Sequence, residues 1–206
     1  MSNMLPVSLG KVEVIPERPF THTKHISKDQ ETLEYMAGQL CAVLEKHQDL
    51  TRMIGPININ EPDGRYHRYF VPRPKILSQV EKVYLVGFFS HKKEGATADH
   101  FGSLDHRLTE QIPTYKGILS YNTMALPDGD FGNLVLLSNE DIKSKWMHGE
   151  THRWAIALSP GYYQFVRINN GILPDGIMTP DSLRIIRVKY YDYSEDPPWK
   201  AVRELV

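Results

Sequence analysis

Val83-Tyr84-Leu85-Val86-Gly87-Phe88-Phe89 is an unbroken apolar run, rich in β-branched and aromatic residues and bounded by polar ones. Its length and composition predict a buried strand. Downstream, Ala98 to Gln111 reads as a helix with the stripe Phe101, Leu104, Leu108 and Ile112, closed by Pro113 and Gly117. Ile118 to Leu126 returns as a strand. Pro127-Asp128-Gly129-Asp130 has the chemistry of a hairpin turn, and Phe131 to Leu137 is the partner strand. Ser138 and Asp141 then cap a helix running to about Leu158. Ser159-Pro160 predicts a second helical piece, Gly161 to Asn169, stopped by Asn170-Gly171. Leu183 to Tyr193 is the last strand.

Strand, helix, hairpin, helix, strand is the β-α-β-β-α-β order, spanning Lys82 to Tyr193 and predicting an α+β fold with both helices on one sheet face. The strands, however, are not half polar: Val83–Phe89 and Leu134-Val135-Leu136-Leu137 are apolar at consecutive positions. Runs of that kind imply a sheet buried on both faces. Either a second sheet from a partner subunit or the N-terminal 80 residues must cover the face that the helices leave open.

Residues 1–80 form a separate, proline-marked zone, with Pro6, Pro16, Pro19, Pro56, Pro62, Pro72 and Pro74. One helix is predicted, at about 28–48. Ser27 and Gln30 resemble a capping box, and Leu33, Met36, Leu40, Val43 and Leu44 follow at helical spacing. Gly55 to Gly64 reads as loop, and Pro72 with Pro74 as an extended connector. The expected division is therefore an extension at 1–80 and an α/β domain at 81–206.

The order and patterning of 82–193, with Phe131-Gly132-Asn133-Leu134-Val135-Leu136 leading into a helix containing Trp and His, resemble the dimeric α/β-barrel (ferredoxin-like) superfamily. The resemblance covers a little over half the chain. It implies a homodimer paired sheet to sheet, with a pocket between each sheet and its helices. Members include antibiotic-biosynthesis monooxygenases, polyketide cyclases and chlorite dismutase-like heme proteins, so the fold does not select a reaction. The heme-degrading members carry an Asn on the first strand; this chain has none there, and its Trp146–His152 spacing is shorter than in their pattern.

The bulk properties set the class. The chain has 206 residues, 41% hydrophobic and 24% charged, with a net charge of -1, and its charge signs are interleaved. No basic footprint for nucleic acid or an anionic membrane results. The single cysteine, Cys41, excludes an intrachain disulfide framework. With no recognisable secretory leader and no apolar run of about 20 residues, a cytoplasmic location is expected.

Trp146-Met147-His148-Gly149-Glu150-Thr151-His152-Arg153-Trp154 is the segment densest in chemistry. His148 and His152 stand at i, i+4, but no HExxH motif is present and no metal is expected. On a wheel centred on Ile142, Trp146, Gly149, Arg153 and Ile156 fall within about 40° of that direction. That places Arg153 in the sheet-facing stripe as an anchor for a ligand carboxylate or enolate, or as the partner of a carboxylate such as Asp105. His152, at the stripe's margin, is the candidate proton carrier, because an imidazole titrates near neutrality. Trp146, Asn122, Tyr163, His148 and His100 are the candidate substrate-binding residues. Searches for P-loop, GxGxxG, GxSxG, CxxC and EF-hand patterns find none.

The expectation is a small-molecule pocket enzyme acting on an aromatic or polyketide-like substrate by oxygenation, cyclisation or isomerisation, with no cofactor. One alternative is a heme protein with a helix histidine as axial ligand. The other is a non-catalytic dimeric assembly module that uses residues 1–80.

Overall fold

The computed structural model describes residues 5–96 and 98–206; for 98–104 it describes the backbone alone. The elements are β1 (Val7–Leu9), α1 (Thr23–Lys46), β2 (Ile54–Asn60), β3 (Tyr66–Val71), α2 (Pro74–Gln79), β4 (Val83–Lys92), α3 (Ala98–Gln111), β5 (Ile118–Ala125) and β6 (Phe131–Leu137). They continue with α4 (Asp141–Met147), α5 (Glu150–Tyr162), β7 (Tyr163–Leu173), β8 (Arg184–Asp192) and β9 (Trp199–Glu204). Among the described residues the strands form one nine-stranded sheet ordered β1-β9-β8-β7-β4-β6-β5-β3-β2. Every pairing is antiparallel except β1 with β9.

The strand-helix-hairpin-helix-strand order is present at the centre of this sheet, but its fourth strand is β7 and not the predicted 183–193. Of the helical piece expected at 161–169, only Gly161 and Tyr162 are helical, as the end of α5, and Tyr163 to Asn169 is strand. Ser159 and Pro160 belong to the last turn of α5, and Val166 and Ile168 alternate with Phe165, Arg167 and Asn169 across the two faces of a strand. That alternation of β-branched and aromatic residues outweighs a local cap signal. The predicted 183–193 strand exists as β8, one position further out and covered by β9.

The N-terminal zone differs more. Residues 54–71 are not loop but a β2–β3 hairpin added to β5, with its turn made by Gly64 at φ +82. Pro74 begins a short helix and not an extended connector. The helix predicted at 28–48 starts earlier, at Thr23, where the Nδ1 of His22 accepts from the Lys24 amide at 3.0 Å. No Ser27 box is needed.

This helix explains the continuously apolar strands. Leu33, Met36, Ala37, Leu40 and Leu44 of α1 pack with Leu85, Leu119, Leu134 and Leu136 in the larger hydrophobic cluster. A side chain at Gly87 would lie 2.8 Å from Cδ1 of Leu33, so the helix approaches β4 as closely as a glycine permits. Of the two coverings that the sequence left open, the chain's own α1 is the one present. A buried ion pair fixes the helix: Arg167 donates to both oxygens of Asp29 at 2.8 and 2.7 Å, and the Asn169 amide adds a third bond at 2.9 Å. Asp29 is 2% exposed, and these three bonds satisfy its carboxylate. Among the described residues no helix is long and apolar enough to cross a membrane.

Candidate functional site

The other face of the sheet lies under α3, α4 and α5. The smaller hydrophobic cluster seals one end of it with Phe70, Ile112, Ile118, Tyr121, Leu137 and Trp146. The rest opens into a cavity of about 460 Å³ between the sheet and α3–α5, a volume within the range of small-molecule sites. The register lays one row of side chains across its floor: Arg68, Thr123, Asn133, Phe88, Ile168 and Lys189 are successive cross-strand partners. All six line the cavity. The row is polar at both ends and apolar in the middle.

At one end Asp105 of α3 joins the sheet. Tyr121 donates to its Oδ1 at 3.0 Å and accepts from the Asn133 amide at 2.8 Å. Arg68 donates to Oδ2 and also to Thr109. Burial, and then the Asp105 charge, push the Tyr121 phenol well above its ordinary value, so it stays a neutral hydroxyl. At the other end Lys143 of α4 donates to the Asn170 side-chain oxygen at 2.6 Å. Burial, and then the neighbouring Lys189, lower its pKa. Among the described residues neither lysine forms an ion pair.

The helical roof supplies the histidine. His152 lines the cavity and lies against Trp146, with ring centroids 4.6 Å apart. Its Nδ1 is buried without a hydrogen-bond partner among the described residues. Burial lowers its pKa to about 4, so the imidazole is neutral at pH 7 and a weaker base than the near-neutral titration expected of it. Tyr163 lies edge-on to Phe88 with its centroid 5.6 Å away, and burial pushes its phenol up. Tyr193, at the same end, is pushed up to about 12 by burial. Aromatic walls, one neutral base and two polar ends suit a flat, largely apolar molecule carrying polar groups at its extremities.

Three predicted site residues thus meet in the cavity: His152, Trp146 and Tyr163. Three others do not. Arg153 is exposed and outside the cavity. The wheel assumed one helix from 141 to 158, whereas the chain breaks at His148-Gly149 into α4 and α5, so a reference taken on Ile142 does not carry past the break. Gly149 is the N-cap of α5, and a side chain there would lie 2.0 Å from the Tyr115 hydroxyl, so close packing accounts for the glycine. The carboxylate suggested for Arg153, Asp105, instead holds Arg68. His148 is an exposed C-cap whose Nδ1 lies 2.7 Å from the Ser144 carbonyl oxygen. Asn122 is fully buried on the α1 face, where it donates to Ser120 Oγ and the Leu134 carbonyl at 3.2 Å each. The side chain of His100 lies outside the described residues.

Sequence reasoning missed Arg68, Asn133, Lys143 and Asn170, and named Asp105 only as a partner for Arg153. The choice of sheet face, which depends on how α1 and α3–α5 dock, was the missing information.

No family model matches the chain, and no curated protein matches it. Among solved structures, the protein PA3566 of Pseudomonas aeruginosa is 13% identical, with a TM-score of 0.39 over 44% of this chain and 91% of that one. A monooxygenase candidate from Lactobacillus acidophilus is 12% identical, with a TM-score of 0.39 over 45% of this chain and 44% of that one. Likeness at that level assigns neither fold nor reaction.

Proposed function

We propose that the protein is a small-molecule enzyme of ferredoxin-like central topology, whose cavity removes a proton from an apolar, aromatic or polyketide-like substrate. The observation that carries this reading is His152, a neutral imidazole on the wall of a 460 Å³ cavity lined mainly by apolar and aromatic side chains. Cyclisation, isomerisation and oxygenation of such substrates each begin with loss of an acidic C–H or O–H proton. A desolvated base beside a bound substrate serves that step through proximity and orientation. His152 would take the proton. Trp146 and Tyr163 would hold the ring system, and the Tyr121–Asp105–Asn133 network would orient the distal polar group. The strand order β7-β4-β6-β5 supports the topology. With α1 across the opposite face, any second copy would pair elsewhere.

The test is deuterium exchange. Aromatic ketones and β-diketones are incubated with the protein in D2O, and exchange α to the carbonyl is followed by proton NMR. Wild-type protein should accelerate exchange of at least one, and His152→Ala should abolish the acceleration with its thermal midpoint retained. Full exchange in His152→Ala would remove His152 from the chemistry.

Heme binding has one observation in its favour, since a neutral histidine on a cavity wall is the protonation state that a metal requires. Adding hemin separates the readings. A Soret band lost in His152→Ala would support ligation, and a spectrum identical to free hemin would end it.

A further inference from the structure

The two lysines at the outer end of the cavity pose a problem of charge. Lys143 stands on α4 three residues before Trp146, so both side chains lie on the helix face turned to the sheet. Lys189 stands on β8, next to Ile168 in the floor row. Both line the cavity. The neighbouring charges do not neutralise them. Glu140 acts on Lys143 only at a distance, while Arg187 is already paired with Glu204 at 2.5 Å and acts with Lys189 in the unfavourable direction. The Asn170 oxygen that Lys143 reaches is neutral, and the nitrogen of that amide donates to the Ile168 carbonyl at 3.3 Å.

Two ammonium groups lining one apolar cavity, one of them bonded only to a neutral amide oxygen, cost free energy in the empty protein. An anion placed between them relieves that cost. On this basis we infer that Lys143 and Lys189 form a subsite for the carboxylate of the bound substrate, whose apolar body then lies along Phe88 and Ile168 towards Asn133 and Tyr121. The inference rests on the reading of the cavity as a small-molecule site and narrows the substrate to hydrophobic acids. A carboxylate fits better than a phosphate because the subsite offers two point charges. The one arginine among the described lining residues, Arg68, is held at the opposite end by Asp105 and offers no fork at this one. At the far end the orienting groups are neutral hydroxyls and amides with a paired Asp–Arg, which suits a ketone or phenol and not a second anion.

The experiment is isothermal titration of the full chain with 2-naphthoate, the isosteric neutral 2-naphthamide and 2-naphthyl phosphate, at low and at moderate salt. The naphthoate should bind about 10-fold or more tightly than the amide at low salt, with the ratio shrinking as salt rises, as for a charge pair near a surface. In the double variant Lys143→Gln, Lys189→Gln the ratio should fall to within about twofold while the amide keeps its affinity. Equal binding of acid and amide by wild-type protein overturns the carboxylate subsite but leaves the cavity a binding site. A preference that survives in the double variant overturns the assignment to these lysines, and phosphate binding tightest overturns the choice of anion. Binding of none of the three overturns the cavity reading, and this inference with it. The salt dependence of the wild-type ratio stands on its own should the double variant fail to fold.

Discussion

The two faces of the central sheet are built from the same strands and do opposite work. Under α1, alternate residues of β4, β5 and β6 pack in one cluster with Leu33, Met36 and Leu40, and the Asp29 carboxylate is held by Arg167 and Asn169. Under α3–α5 the intervening residues of the same strands line a cavity in which the Nδ1 of His152 has no partner among the described residues and Lys143 meets only a neutral amide oxygen. One face supplies stability and the other retains groups that a ligand would satisfy. A strand that reads as uniformly apolar conceals this division, since hydrophobicity reports burial and not what does the burying.

Several changes separate the faces. The largest effect should come from removing residues 1–73, which takes away α1 and the β2–β3 hairpin. The α1 face would then be bare, and the shortened chain should show no cooperative melting by circular dichroism and should aggregate. A folded, soluble truncation would show that α1 is dispensable to the fold and would take from the assembly-module reading of residues 1–80 its main support. Next, Asp29→Ala should cost about 3–5 kcal/mol in denaturant unfolding, because it leaves the Arg167 guanidinium buried without its carboxylate. Leu40→Ala on the α1 face should cost about 2–5 kcal/mol. Ile168→Ala should cost under about 1 kcal/mol, since it enlarges a cavity already present. Similar losses at the two positions would mean that the faces are equally packed.

A more gradual effect is a dependence on pH. His152 binds a proton near pH 6.5 in the unfolded chain but only at about pH 4 when folded. Stability from this group is therefore complete above pH 6.5, declines as the pH falls towards 4 and levels off below that. The full span is at most about 3 kcal/mol, and less to the extent that water enters the cavity. His67, also lowered by burial, slopes in the same direction. His152→Asn should remove its own share and flatten the urea-unfolding profile between pH 6.5 and 4. An unchanged slope would mean that the imidazole is solvated.

Much of this arrangement was readable in the residues, and the gaps have physical causes. Val83–Phe89 announced a strand buried on both sides, and the stripe Leu33–Leu44 announced the helix that covers it, but nothing local joined the two. Their contact is long-range, and patterning within each segment is blind to it. The 161–169 segment misled because Ser159-Pro160 is a strong local signal in the wrong frame. The β2–β3 hairpin was hidden by Pro56 and Pro62. At the site, Trp146, His152 and Tyr163 were found because aromatic and titratable residues crowd a helix end. Arg153 was not excluded because a helix wheel cannot see the break at Gly149. Lys143 and Asp105 look like ordinary surface charges in sequence, and only the packing of α3 and α4 on the sheet turns them inward.

The central claim, that the cavity under α3–α5 is the ligand site, is tested most directly by isoleucine methyl NMR during titration with neutral 2-naphthamide. Ile156 and Ile168 line the cavity, whereas Ile26, Ile54, Ile177 and Ile185 belong to the α1-side core. Saturable shifts at Ile156 and Ile168, with the other four methyls unmoved, are the predicted result. Shifts centred on the α1-side methyls, or none at the cavity pair up to the solubility of the probe, would contradict the account.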